Sequence, residues 1–471
     1  MREAVIVSGA RTAVGRAPRG SLRAMHPVDM TAAAIREAVN RAEGLEATDV
    51  EDVIIGCAMP EGTQGNNMAR LASLRAGMSE QVPAQTVNRF CSSGLQTIAN
   101  AAERIMTGQA RTILAGGCEH MSTTIEMPNF SPSPSLVETN PAVYMGMGLT
   151  GEQVAKEFKV SREDQDEIAL RSHTRAQKAV SSGLFDEEIV PLDVEHDWVD
   201  EGGEVLHYET TFKRDEGPRD TSLEKLAKLP AVFQQDGTVT AGNSSQRSDG
   251  AAAVVVMDRE EAERRGLTPL VRFVGFAVGG VRPEIMGVGP MVAIPKVLDI
   301  AGLTVDDLDL VEFNEAFAAQ FLAVVREVGL DLEKTNVNGG AIALGHPMGA
   351  TGTKLTIQLI HEMKRRSRST ASLPCASAAV WARPASSRTC KTRARCSAGV
   401  RVLSGRFLSP PLWEGGAVFR PNIEWRVLQG GESGGRRPDA EGAGAGGARR
   451  LPLVNILIPR EGRVVLEIAP A

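Results

Sequence analysis

The chain has 471 residues, 42% of them hydrophobic and 23% charged, the balance of a soluble globular protein with more than one core. A net charge of −6 excludes a broadly basic nucleic-acid surface, so any anionic ligand must be met by local groups. The six cysteines (Cys57, Cys91, Cys118, Cys375, Cys390, Cys396) make no CxxC pair and no dense framework, a usage that suits reduced thiols.

Taken in chain order, the N-terminus goes straight into a strand-like run, Ala4–Ser8, and carries Arg2, Arg11 and Arg16 without a secretory apolar core. No apolar run reaches the roughly 18 residues of a membrane span, and the expectation is a cytoplasmic protein. Further strands are expected at Val53–Ile55, Thr112–Leu114, Ala252–Met257 and Leu310–Phe313, where β-branched residues cluster. Amphipathic helices are expected at Asp29–Glu43, Leu95–Gly108 and Thr353–Arg366. Such alternation argues for an α/β protein with buried sheets. Between about Glu119 and Gly242 the text changes to loop chemistry around Pro128–Ser135, charged helices and an apparently exposed excursion, Asp197–Asp215. This reads as an inserted lid or binding subdomain.

The chain also echoes itself. Leu45-Glu-Ala-Thr-Asp-Val-Glu-Asp-Val53 parallels Leu303-Thr-Val-Asp-Asp-Leu-Asp-Leu-Val311. Each half then runs from a Val-Asn pair (Val87-Asn88, Val337-Asn338) through a reactive-looking loop into a helix. Two such halves facing each other would bring both loops to one cleft; chance likeness of two βα units is the alternative.

Cys91 lies in Asn88-Arg-Phe-Cys91-Ser-Ser-Gly94, between a strand and a helix. A thiol at a helix N-terminus is expected to have a lowered pKa and a nucleophilic thiolate. A buried structural cysteine is the competing reading. His346 sits in Asn338-Gly-Gly-Ala-Ile-Ala-Leu-Gly-His346-Pro-Met-Gly349, where glycines permit tight turns and an imidazole could take the thiol proton or donate to an oxyanion. The stretch lacks the GK[ST] ending of a phosphate loop. Asn314, in Phe313-Asn-Glu-Ala-Phe317, could hold a water or donate to a thioester oxygen; an ordinary helix N-cap is its bland alternative. His120 fits a satisfied core or loop histidine better than a catalytic one. His26, His173, His196, His207 and His361 have no metal-ligand spacing, and no metal is expected.

Together the Cys91 and His346 boxes resemble the thiolase family, and the likeness runs from Met1 to about Arg365. It implies a thiolase fold: two similar βα halves in a layered α-β-α-β-α arrangement with an inserted loop subdomain. The N-terminal half would span residues 1–265, with 119–242 inserted and binding coenzyme A, and a truncated C-terminal half would span 266–365. By resemblance, Cys91 takes the acyl group, His346 activates it, and Asn314 holds a water. Arg219 matches a contact to the nucleotide end of coenzyme A, and Leu229 and Phe233 pack around adenine and pantetheine. Ala241, Ser245, Ala316 and Phe317 line the pantetheine tunnel. The family implies a homodimer or homotetramer, no cofactor beyond coenzyme A as substrate, and a β-oxidation partner enzyme. Tyr144-Met-Gly146-Met147 is worded like the fatty-acid-degrading members, so cleavage of 3-ketoacyl-CoA is favoured over formation of acetoacetyl-CoA. A non-catalytic acyl-CoA-binding protein is the alternative from another class. A decarboxylating ketoacyl synthase would want two histidines with its cysteine.

The likeness breaks near the end. Thiolases finish on Cys-Ile-Gly-Gly-Gly-Met-Gly, whose cysteine moves the acetyl proton, whereas this chain reads Cys375-Ala-Ser-Ala-Ala-Val-Trp381-Ala-Arg-Pro384. Joining the third base of each codon to the first two of the next, from Cys375 onward, permits Cys-Ile-Gly-Gly-Gly-Met-Gly-Ala-Ala-Gly-Leu-Phe-Glu-Asn-Leu. Trp381 followed by Ala382 forces a glycine. A one-base slip between about Lys364 and Ser372 follows. Beyond Arg365 there is a single lysine, Lys391, among many arginines, and Gly430–Arg450 is low in complexity. Residues 366–471 are therefore expected to be an aberrant, irregular or disordered tail, a genuine disordered extension being the rival explanation.

Overall fold

A computed structural model describes residues 2–124, 130–199, 202–374 and 377–382, together with the strands 454–457 and 465–468. The N-terminal half supplies β1 (Ala4–Thr12), α1 (Pro27–Asn40), β2 (Asp52–Cys57), α2 (Met68–Arg75), β3 (Ala84–Val87), α3 (Ser93–Met106), β4 (Thr112–His120) and β5 (Ser248–Asp258). Its strands lie in the order β3-β2-β4-β5-β1, with β3, β2 and β4 parallel and β5 antiparallel to both neighbours. The second half supplies β6 (Val271–Val278), α4 (Gly289–Ala301), β7 (Leu310–Val311), α5 (Ala318–Val328), α6 (Met348–Arg365), β8 (Thr370–Pro374) and β9 (Ser377–Ala382). Thr335 bridges Val311 in parallel, β8 lies parallel to β7, and β9 runs antiparallel to β8 and β6. The second half thus repeats the first strand for strand.

The echo at Leu45 and Leu303 has a local basis. Ala47–Asp49 and Val305–Asp307 are each a single 3-10 turn, closed by a capping box between Glu46 and Asp49 or Thr304 and Asp307. Each turn delivers the chain to a buried strand with its first backbone donors satisfied.

Burial is layered. Side chains alternate across each strand, so Val53 and Ile55 face a core with Met30, Ile35 and Met68 from α1 and α2, while Ile54 faces inward. The inner core joins Ile54, Val254 and Ile6 to Leu95 and Ile98 of α3, Leu355 and Leu359 of α6, and Leu373 and Trp381 of the second half. A third core packs Val297 and Leu298 of α4 and Phe321 of α5 against Val311 and Val380. Helices therefore cover both outer faces and fill the middle, the expected α-β-α-β-α order. Because both faces are buried, strands such as Ala251–Met257 read as unbroken apolar runs.

α3 and α6 approach closely because glycines line their contact. A Cβ at Gly352 would stand 2.2 Å from Leu95 N, and one at Gly94 would stand 2.8 Å from Gly349 O. Among the described residues between His120 and Ser248, the chain joins the sheet only at Ile189–Val190, which pairs in parallel with the end of β1. That stretch also holds the helices Met147–Glu157 and Arg162–Ser181 and a two-stranded hairpin, Leu192–Val199 with Val205–Phe212.

Two expectations are corrected. Asp215, placed at the end of an exposed excursion, is buried: Arg11 reaches it from β1 with paired bonds of 2.8 and 2.9 Å and also meets Glu188 at 2.8 Å. A charge so paired tolerates the interior. The expectation of an irregular or disordered chain from residue 366 is corrected as far as Ala382, since β8 and β9 pair with each other and with β7 and β6 in the sheet. Small and apolar residues in Ala371–Leu373 and Ala378–Trp381 suit a strand buried on both faces, and Pro374 is tolerated as the last residue of its strand. The fit carries a cost: Ser377 Oγ and Trp381 Nε1 are buried without hydrogen-bond partners among the described residues. Cys375, Pro384 and the remainder of the expected tail lie outside the described residues, apart from the strands 454–457 and 465–468, which pair antiparallel with each other.

Candidate active site

The two reactive-looking loops meet. Cys91 stands in a 3-10 turn, Phe90–Ser92, that runs into α3. Asn88 Oδ1 accepts from Phe90 N at 2.8 Å, and Ser93 Oγ accepts from Arg89 N while donating to Phe90 O. These bonds hold Phe90 at φ +45°, a left-handed conformation unusual for an aromatic residue, with its ring exposed.

His346 precedes α6 in the other half. Gly345, at φ +86°, makes the turn that lets His346 N donate to Ser248 Oγ at 3.0 Å. Gly349 N donates to Glu119 Oε2 at 2.9 Å, and that carboxylate also accepts from Ala58 N and Gln64 Nε2. Glu119 thus ties the His346 loop to the ends of β2 and β4.

His346 Nε2 lies 3.1 Å from Cys91 Sγ and 3.3 Å from Asn314 Nδ2. Its Nδ1 lies 2.6 Å from Thr351 Oγ1. Asn314 is not the N-cap of α5, which starts at Ala318 behind Phe317. Its Oδ1 is buried without a partner among the described residues, an acceptor open to water or a ligand.

The electrostatics correct the thiolate expectation. Burial, with the Glu119 carboxylate next in size, pushes the Cys91 thiol up to about 12. Burial, with Lys354 next, lowers His346 to about 3. Desolvation disfavours the charged form of each group, so both shifts oppose a resting thiolate–imidazolium pair. The two groups can deliver a thiolate only as the proton passes to Nε2 during attack.

Apart from Arg219, the residues expected around coenzyme A lie along one run of contacts. Ser245 N donates to Ala316 O at 2.9 Å, and Ser244 bridges Phe317. Phe233 and Phe317 meet edge to face at 6.3 Å. Leu229 packs against Gly242, beside Ala241, while Gly148 lies where a Cβ would strike the Phe233 ring. Arg219 is exposed, its backbone N–H donating to His173 Nδ1 at 3.1 Å, and burial, with the Arg16 charge next, lowers its pKa. His120 is buried, bonded to Thr123 Oγ1 and Leu22 O.

Sequence reasoning passed over Thr351 and Glu119. Thr351 lies five residues past His346 and carried no motif of its own. Glu119 stands beside His120 in Gly116-Gly-Cys-Glu-His120, where a carboxylate inside an apolar strand was the available signal.

Comparison with known proteins identifies the family. The family model "Thiolase, N-terminal domain" matches residues 4–260, and "Thiolase, C-terminal domain" matches 267–382. A 3-ketoacyl-CoA thiolase of Bacillus subtilis is 56% identical over 368 residues, 78% of this chain and 94% of that protein. An acetyl-CoA acetyltransferase of Escherichia coli is 43% identical over 384 residues, again 78% and 94% of the two chains. The crystal structure of the Bacillus anthracis acetyl-CoA acetyltransferase aligns with a TM-score of 0.72 at 41% identity, covering 81% of this chain and 99% of that one.

Proposed function

Because the chain belongs to the thiolase family of enzymes, we propose that it cleaves 3-ketoacyl-CoA with coenzyme A, giving acetyl-CoA and a shortened acyl-CoA. The observation that carries this reading is the 3.1 Å approach of Cys91 Sγ to His346 Nε2. His346 takes the thiol proton as sulfur attacks the keto carbon. The carbon–carbon bond breaks, acetyl-CoA departs as its enolate and takes up the proton that His346 had accepted, leaving His346 neutral again, and the acyl group stays on Cys91 as a thioester. A second coenzyme A gives its thiol proton to His346 as its sulfur attacks that thioester; Cys91 leaves and recovers the proton. Covalent catalysis divides one difficult cleavage into two easier steps.

Asn314, whose Oδ1 has no partner among the described residues, would hold a water at the oxygen that gains charge. Arg219, Leu229, Phe233, Ala241, Ser245, Ala316 and Phe317 would receive coenzyme A, with Arg219 and Arg16 at the phosphate end. The degradative preference draws support from 56% identity to the Bacillus subtilis 3-ketoacyl-CoA thiolase against 43% to the Escherichia coli acetyltransferase. Incubating the protein with a 3-ketoacyl-CoA and trapping acyl-Cys91 by mass spectrometry tests the reading; an acyl group on another residue refutes it.

A second reading is an impaired acyl-CoA-binding chain, favoured by the Ser377 and Trp381 groups inside β9, which have no partner among the described residues. It joins the proposal of a one-base slip before Ser372, after which the natural strand would carry the second acid/base cysteine and its glycines. Nucleotides spanning Arg365 to Lys391 decide it, and an unshifted frame there removes the slip.

A homodimer or homotetramer completes the proposal. β3 ends the sheet with half-exposed residues, and exposed Phe90 lies beside it. Sedimentation as a monomer would overturn that part. Among the described residues no helix is long and apolar enough to cross a membrane. A cytoplasmic location draws support from the free cysteines Cys57, Cys91 and Cys118, and cell fractionation tests it.

A further inference from the structure

The two ring nitrogens of His346 face different chemistry. Nε2 faces Cys91 Sγ and Asn314 Nδ2, both of which carry hydrogens. Among the described residues, Nδ1 faces only Thr351 Oγ1, at 2.6 Å. That hydroxyl also lies 3.0 Å from Pro347 O, the carbonyl four residues back, and donates its one hydrogen there. It meets the ring with lone pairs alone, so the hydrogen between them belongs to Nδ1.

We infer that Thr351 is a positioning residue of this site, fixing His346 as the Nδ1–H tautomer and aiming the Nε2 lone pair at the Cys91 thiol. The inference rests on the reading of Cys91 as nucleophile and adds the group that makes His346 a base toward it. Thr351 lies in the first turn of α6 and is buried, so water does not compete for the bond. Ser248 Oγ holds the backbone N–H of His346 and leaves the ring to Thr351. The charged groups acting on the pair are Glu119 from β4, which bears on Cys91, and Lys354 from α6, which bears on His346. Neither hydrogen-bonds the imidazole; Lys354 Nζ is bonded to Gln358. They set how readily the groups ionise, and Thr351 decides which nitrogen is free.

The test compares the full chain with Thr351→Ser and Thr351→Val, reading the rate at which iodoacetamide alkylates Cys91 from pH 6 to pH 10. Serine keeps the hydroxyl, and its rate should stay within about threefold of the parent. Valine keeps the shape and loses the acceptor. Its rate near neutral pH should fall by about 10-fold to 100-fold, short of the 10²–10⁴ expected for losing a base outright. The deficit should narrow as rising pH ionises the thiol without help. Parental reactivity in the valine variant, or equal loss in both variants, would overturn the role. Should the valine variant not fold, ¹⁵N NMR of His346 in the unaltered chain decides: a hydrogen on Nδ1 supports the inference and a hydrogen on Nε2 sinks it. Alkylation needs no acyl-CoA, so failure of the chain to accept an acyl group would count against the proposed function and leave this result standing.

Discussion

Replacing Gly352 with alanine should disable the site from within the helix contact that builds it. The new Cβ would lie 2.2 Å from Leu95 N and 2.7 Å from Leu95 Cβ, where ordinary contact begins at 3.4 Å. The nearer obstacle is backbone, which no rotamer change can clear. α3 and α6 must therefore part by roughly 1 Å, a displacement that can cost about 10²-fold in a positioned reaction. Those helices carry Cys91 and His346 at their N-termini, and the 3.1 Å Sγ–Nε2 approach would open beyond proton-transfer reach. Overpacking of this kind costs about 1–3 kcal/mol in stability, so most molecules should still fold. The assay is alkylation of Cys91 by iodoacetamide at neutral pH, with far-ultraviolet circular dichroism as the folding check. Gly280→Ala serves as control, since nothing lies within 4 Å of its Cβ position. A folded Gly352→Ala protein alkylated at the parental rate would refute the argument that this helix contact sets the distance between the two groups.

Arg11→Met should destabilise the fold by about 3–5 kcal/mol, because Asp215 and Glu188 would stay buried without their cation; denaturant titration reads the loss, and Arg11→Met with Asp215→Asn should recover part of it. Gly148→Val should drive the Phe233 ring off its place against Phe317. Protection of Cys91 by acyl-CoA should weaken about 10-fold, while alkylation without ligand keeps its rate. His361 is lowered to about 4 by burial and, next, by Arg365, so the unfolded chain takes up a proton near pH 6.5 that the folded chain refuses. Stability from that group is present above pH 6.5 and is lost as pH falls towards 4. The His361→Gln variant should therefore gain on the parent across that window by about 3 kcal/mol; parallel stability curves would contradict this.

Much of the architecture is legible in the residue pattern. The runs around Ala4, Val53, Thr112 and Ala252 are strands because β-branched and small apolar residues suit a surface buried on both faces, and the Leu45 and Leu303 echoes both become capped 3-10 turns before strands. Strand ends were less legible: β4 runs on through Gly116, Gly117 and Glu119, residues of low strand propensity that are held by packing and by the ties of Glu119. The same limit hid β8 and β9, whose small residues carry little period of their own and gain strand geometry from the neighbours they pair with.

What the sequence alone determined was the pair of halves, the loops that carry Cys91 and His346, and the family they resemble, because turn residues and apolar periodicity act over short spans of chain. Tertiary structure decided the state of the site. The sequence placed Cys91 at a helix N-terminus, from which a lowered pKa follows, but burial is a property of everything packed around the thiol and raises it instead. Likewise, only the folded chain brings Arg11 to Asp215, Glu119 to Gly349 and Thr351 to the far side of the imidazole ring. Desolvation and hydrogen-bond geometry depend on which surfaces meet, and no local pattern of residues encodes that.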